Sequence, residues 1–134
     1  MSVEIRANAF VLEDDNGNVR AALGMIEEEA GLVLRDKNGK PRAMLVVFED
    51  RPVLSLYDAN GEVRVVLAVG KEGIGPGLDD EARKFLALLG IEGEAPLLLL
   101  FDENRKARAG LFVGTDGPVL KLSDENGKVI WSAT

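Results

Sequence analysis

The most regular chemistry-bearing feature of the sequence is an acidic cassette with Asp first and, in most copies, Asn third and Gly fourth. Copies begin 22 or 44 residues apart, at Asp14, Asp36, Asp58, Asp102 and Asp124, and Asp80 fills the remaining position. Such a run overlaps the start of a calcium loop, whose carboxylate and amide oxygens suit Ca²⁺. Strand-like residues follow at once, without the twelve-residue loop and its distal Glu. We therefore expect each Asp to cap a turn.

The cassettes would crowd carboxylates onto one rim if their turns share an edge. Such a rim attracts divalent cations loosely and is not a metal site. The acids concerned are Asp14, Asp15, Asp36, Asp58, Asp79, Asp80, Glu81, Asp102, Glu103, Asp124 and Glu125. The chain contains no Cys and no His, which removes thiolate sites and the commonest metal ligand and general base. We expect no metal site and no cofactor.

Arginines recur six positions after the cassette Asp, at Arg20, Arg42, Arg64 and Arg108. A converging ring of guanidinium groups could grip a carboxylate or phosphate ligand. The favoured interpretation is an ion-pair ladder with outward acids such as Glu13, in which each exposed pair adds less than about 1 kcal/mol.

Other candidate groups give no catalytic constellation. The Gly-rich stretch 70–77 lacks the Lys-Ser/Thr ending of a phosphate loop, so we expect a connecting loop. Trp131 and Tyr57 could stack on a sugar or base, but Trp131 has the phase of the predicted core. No Ser has a conventional base beside it without His. The sequence therefore predicts that the protein is not an enzyme.

Alternating apolar residues flank each cassette, for example Leu54 and Leu56 before it and Val63, Val65 and Leu67 after it. This period of two predicts strands, and the cassette between them predicts a hairpin closed by a type I turn with a glycine bulge. Six units of 22 residues, with turns at 14–17, 36–39, 58–61, 80–83, 102–105 and 124–127, cover a single domain, 1–134. The turn residues are Asp14, Asn16, Gly17, Asp36, Asn38, Gly39, Asp58, Asn60, Gly61, Asp102, Asn104, Asp124, Asn126 and Gly127.

Unit four departs from this pattern because Pro76 and Gly77 interrupt its first strand. Residues 79–90 have the apolar spacing of a short capped helix, which is the alternative to a hairpin there. The repeat favours the hairpin. Phe85, Ala87 and Leu89 each lie 22 residues after a predicted strand residue of the preceding unit, namely Val63, Val65 and Leu67.

The predicted fold class is all-β. Six hairpins would form an antiparallel meander or a barrel-like closure of about twelve strands, a count that a β-trefoil shares. The alternative is a parallel β-solenoid in which each 22-residue unit forms one coil.

The predicted outward phase of the strands carries many apolar residues. Such a patch marks an interface unless both sheet faces are covered within the chain. We expect a homo-oligomer with these candidate interface residues: Val33, Met44, Val46, Val66, Leu86, Leu88, Leu99, Phe101, Phe112 and Ile130.

Length and charge limit the remaining classes. The chain has 134 residues and a formal net charge of −7, with no basic run, which disfavours nucleic-acid binding. The longest apolar run, Ala95–Phe101, is far shorter than the ~20 residues of a membrane helix. No secretory signal is recognisable at the start, so we expect a cytoplasmic location, with export by another route left open. The absence of Gln, Cys and His is typical of thermostable proteins.

The stretch Leu56-Tyr57-Asp58-Ala59-Asn60-Gly61 resembles the repeat unit of the bacterial YD (RHS) family, which forms spiralling β-sheet shells. The resemblance covers this one turn, since Tyr occurs only once in the chain. We carry no function across from it.

The sequence predicts a non-catalytic structural or protein-interaction module that self-assembles. The alternative is a small-ligand or carbohydrate-binding module that uses the repeated loops, with an unknown ligand.

Overall fold

The computed structural model describes residues 4–26, 28–48, 50–70, 86–92 and 94–134. These ranges form one eleven-stranded sheet and contain no helix, so none that could cross a membrane, and the all-β prediction is confirmed. The strands are β1 (Ala9–Glu13), β2 (Val19–Ile26), β3 (Glu29–Arg35), β4 (Pro41–Phe48), β5 (Arg51–Tyr57), β6 (Val63–Gly70), β7 (Ala87–Glu92), β8 (Ala95–Phe101), β9 (Ala107–Gly114), β10 (Gly117–Ser123) and β11 (Val129–Ala133).

The strand order in the sheet follows the order in the chain from β1 to β11. Every neighbouring pair except β6 and β7 is antiparallel, which confirms the meander and contradicts the solenoid alternative. Within the described ranges β1 and β11 are the two edges and are not hydrogen-bonded to each other. The predicted barrel-like closure is therefore not seen.

The parallel pairing of β6 and β7 departs from a uniform series of hairpins. Val65 lies opposite Ala87 and Leu67 opposite Leu89, which is the 22-residue spacing of the units. The two strands are thus the second strands of successive units and are direct neighbours in the sheet. A tight hairpin cannot join parallel strands. The predicted turn at 80–83, the Gly-rich stretch 71–77 and residues 79–85 of the helix alternative lie outside the described residues. Residues 87–90 are strand rather than helix.

Local turn chemistry explains where the cassette hairpins bend. The register shifts by one residue beside each described turn, as between Leu56 and Tyr57, which confirms the predicted hairpins with bulges. The last cassette position is left-handed, with φ of +89° at Gly61. Arg105 adopts the same region, with φ of +65°, where the fifth unit lacks the glycine.

The buried core lies on one side of the sheet, which we call the core face. Val53, Val63, Val66, Leu88 and Leu97 form its buried cluster. Val66 and Leu88 have no exposed surface at all. Val63 reaches this side through the bulge beside its turn, where it lies opposite Tyr57. Because side chains alternate along the rest of each strand, the strand neighbours of Val53, Val66, Leu88 and Leu97 point to the opposite side.

Candidate functional site

Each described cassette Asp is held by the backbone of its own turn. In the third unit, one carboxylate oxygen of Asp58, Oδ1, accepts the backbone N–H of Asn60 at 2.8 Å and of Glu62 at 3.0 Å. The backbone N–H of Gly61 in turn donates to the Asp58 carbonyl at 3.1 Å. The same side-chain-to-backbone pattern recurs at Asp14, Asp36, Asp102 and Asp124. This oxygen therefore fixes the turn, as the capping interpretation predicts.

The second carboxylate oxygen faces the arginine six residues later. Arg64 approaches Oδ2 of Asp58 with Nε at 2.7 Å and Nη2 at 2.6 Å. The corresponding distances are 3.1 Å for Arg108 and Asp102, 3.4 Å for Arg20 and Asp14, and 3.9 Å for Arg42 and Asp36. The expected pairing of these arginines with Glu13-type acids is thus wrong, because the bulge brings each of them back to its own turn.

The hydrogen bonds keep these carboxylates ionised. At Asp102 the backbone N–H of Lys106 is the largest influence and, with the Arg108 guanidinium, lowers the pKa against partial desolvation. The pKa of Asp14 is lowered in the same way, and the hydrogen bond from the backbone N–H of Asn18 is the largest influence. At Asp58 desolvation is the largest influence and raises the pKa, but the N–H of Glu62 and the Arg64 side chain together outweigh it. The net pKa of Asp36 is lowered as well.

This arrangement does not resemble a cation site. Oxygens that already accept two or three donors beside a guanidinium have little capacity left for a metal. No group of three or more Asp and Glu residues with metal-binding geometry occurs among the described residues.

Two of the arginines also connect neighbouring hairpins. Nε of Arg108 donates to the Ser123 carbonyl at 2.8 Å, and Nε of Arg20 reaches the Arg35 carbonyl at 3.4 Å. In both cases the acceptor directly precedes the next cassette Asp. Position 130 has the same phase but carries Ile, at the sheet edge formed by β11. The repeated arginines thus stabilise the turns and tie consecutive hairpins, rather than converging on a ligand.

The largest exposed feature is the side of the sheet opposite the core face, which we call the leucine face. Two rows of apolar residues cross all eleven strands in hydrogen-bonded register. The first row is Phe10, Leu23, Leu32, Leu45, Leu54, Leu67, Leu89, Leu98, Leu111, Leu120 and Ala133. The second row is Leu12, Ala21, Leu34, Ala43, Leu56, Val65, Ala87, Leu100, Ala109, Leu122 and Trp131.

A shorter third row extends the same face toward the other end of the strands. It contains Met25, Ala30, Val47, Pro52, Val69, Ile91, Pro96, Val113 and Pro118. None of the residues in the three rows is charged. Most of the large ones are 37–64% exposed. At about 180 Å² for a fully accessible large side chain, about twenty such residues present roughly 1,600 Å² of apolar surface.

The burial of the two faces is the reverse of what the sequence predicts. Trp131, expected in the core, is 49% exposed on the leucine face. The candidate interface residues lie instead on the core face. Val33, Val66 and Leu88 are buried, Met44, Val46, Leu99, Phe101 and Phe112 are half-buried, and Leu86 and Ile130 are exposed.

One signal in the sequence could have distinguished the faces. The core-face phase contains the arginines, Ser55, Lys121 and the strand glycines, whereas the leucine-face phase has no charge in eleven strands. The absence of charge from one phase of all the described strands is the signal that separates the leucine face from the core face.

A depression of about 640 Å³ lies at the turn edge beside β7, lined by Arg64, Leu86, Glu103 and Asn104. Its described lining offers one cation and one acid, without a nucleophile or a general base positioned between them. Compared with family models and with curated proteins, the chain matches none of them.

Proposed function

We propose that this protein is a non-catalytic structural or protein-interaction module that assembles through its leucine face. The observation that carries the proposal is the uncharged apolar surface that runs without interruption across all eleven strands. Single proteins rarely expose an apolar patch larger than about 600 Å², and larger patches usually mark interaction sites. The leucine face exceeds that size more than twofold.

The geometry of the repeated polar groups supports a structural role for them. The cassette carboxylates accept hydrogen bonds from their own turns, and the arginines pair with these carboxylates. Carboxylates and guanidinium groups that are bonded to each other and to the turns maintain the shape of the sheet. The alternative, a small-ligand or carbohydrate module that uses the loops, has less support because its candidate carboxylates are already bonded. The cytoplasmic location, expected because no secretory signal was recognised, and the thermostability expected from composition stay predictions.

A matched pair of charge substitutions tests the proposal. Leu67→Glu places a carboxylate in the middle of the leucine face, on the sixth of eleven strands. Ile130→Glu makes the same kind of change at a position that is 64% exposed on the core face. In sedimentation velocity, we expect the wild-type chain to sediment as an assembly. Leu67→Glu should shift it to the 14.4 kDa monomer, and Ile130→Glu should leave it unchanged.

Far-UV circular dichroism confirms that each variant retains its strands. A wild-type chain that sediments as a monomer at every concentration would contradict the proposal. Equal loss of assembly in both variants would show that the leucine face is not the surface concerned.

A further inference from the structure

The partner that covers the leucine face is a second copy of the chain, an inference that rests on the proposed function. We infer that the leucine face packs against the leucine face of a second copy of this chain, so that two sheets form a closed two-layer β-sandwich dimer. Sheets that pack face to face lie about 10 Å apart with their strands nearly aligned.

The surface area is the first argument for a second copy. The leucine face presents roughly 1,600 Å² of apolar surface. A standard stable interface needs about 800 Å² from each partner, so this face is large enough for a stable dimer. The chain is a single described layer, whereas domains bury their apolar faces between two layers. A second sheet of equal width would supply the missing layer.

The pattern of side-chain sizes is the second argument. In the second row large and small residues alternate over the first five strands, as Leu12, Ala21, Leu34, Ala43 and Leu56, and again from Ala87 to Leu122. Alternation of large and small side chains lets two facing layers interdigitate. A two-fold axis brings one surface against itself, so that surface must be self-complementary and free of like charges. The leucine face meets both conditions, although the chain as a whole carries a net charge of −7.

The edges of the sheet argue against an open filament as the form of assembly. Where a further hairpin follows, Arg20 and Arg108 bond the carbonyl that precedes its cassette. Ile130 replaces the arginine at this position on β11 and cannot make that bond. Within the described sheet, β11 therefore lacks the tie that Arg20 and Arg108 provide, which disfavours attachment of another copy at this edge. Assembly through one face related by a two-fold axis closes at two chains.

Cross-linking with single cysteines tests the arrangement, because the full chain contains no natural Cys. Leu67→Cys lies on the middle strand, close to the expected two-fold axis. Ser132→Cys lies on β11 with core-face phase and is the matched control for edge association. A short bismaleimide is suitable because facing backbones about 10 Å apart are too distant for a direct disulfide.

We expect Leu67→Cys to give a single cross-linked product of twice 14.4 kDa, or 28.8 kDa, and Ser132→Cys to stay uncross-linked. Light scattering of the untreated protein should give the same 28.8 kDa. The substitutions are small, and circular dichroism verifies the fold of both variants.

The other outcomes overturn the inference in different ways. A ladder of products from Ser132→Cys would show edge-to-edge association. A trimer or larger closed assembly that dissociates in Leu67→Glu would overturn the two-layer pairing and leave the proposed function standing. A 14.4 kDa particle at all concentrations, with no cross-linking, would overturn both.

Discussion

Adjacent leucines on β7 offer a quantitative test of whether the leucine face is covered in solution. Leu88 has no exposed surface, and Leu89, the next residue, is 48% exposed on the leucine face. Leu88 lies opposite Val66 and Leu99, and Leu89 lies opposite Leu67 and Leu98. Because both sit in one strand, substitution of either by Ala changes the same local strand preference, and the two costs differ mainly through burial.

The expected costs follow from those exposures. Leu88→Ala removes a fully buried side chain and leaves a cavity, which costs about 3–5 kcal/mol of unfolding free energy. In an isolated chain Leu89→Ala forfeits only the covered half of a leucine, about 1–1.5 kcal/mol. When a second copy covers the remaining half, the cost rises to about 2–4 kcal/mol, since the transfer and cavity contributions of a buried leucine then apply.

Urea unfolding followed by circular dichroism measures both variants at two protein concentrations a hundredfold apart. Dissociation is coupled to unfolding, so the wild-type midpoint should rise with concentration. We expect the cost of Leu89→Ala to approach that of Leu88→Ala at the higher concentration and to fall toward a third of it at the lower one. A small cost for Leu89→Ala at both concentrations, with a constant wild-type midpoint, would refute the reasoning.

The turns give further predictions. Gly61→Ala should destabilise the protein by about 1–2 kcal/mol in urea unfolding, because φ is +89° there with open space around the added methyl group. Gly114→Ala, which has equally open space and no positive φ, should change little, and equal costs would remove the backbone explanation. The lowered pKa values of Asp14, Asp36, Asp58 and Asp102 predict stability that is present above the unfolded pKa of about 3.9 and is lost as pH falls through the folded values. The urea midpoint should therefore drop below about pH 4, less steeply in Asp58→Asn, and a midpoint that rises on acidification would contradict this sign.

Much of the fold follows from local chemistry in the sequence. The run Asp58 to Gly61 specifies its own turn, since it places a capping carboxylate, a tolerant Asn and a left-handed Gly within four residues. Alternation on either side then specifies the strands. The partner of Arg64 was predicted wrongly because the bulge beside the turn, and not the strand period, decides where that side chain points.

The parallel pairing of β6 with β7 and the choice of the buried face do not follow from the alternation of residues along a strand. The parallel pairing of Leu67 with Leu89 leaves the same alternation as an antiparallel pair would. The strand period also does not choose the buried face, because both phases of the central strands are apolar, and only the distribution of charge over all eleven strands distinguishes them. Val66 and Leu67 are adjacent, and only the tertiary arrangement leaves the first buried and the second exposed.

Trp131 provides the most direct measurement of the central claim, that another chain covers the leucine face. It is the only Trp in the chain and it is 49% exposed at the end of the second row. We predict blue-shifted emission and weak acrylamide quenching at high protein concentration, with a red shift and stronger quenching on dilution or in Leu67→Glu. Emission and quenching that are the same at every concentration, and the same in Leu67→Glu, would contradict the claim.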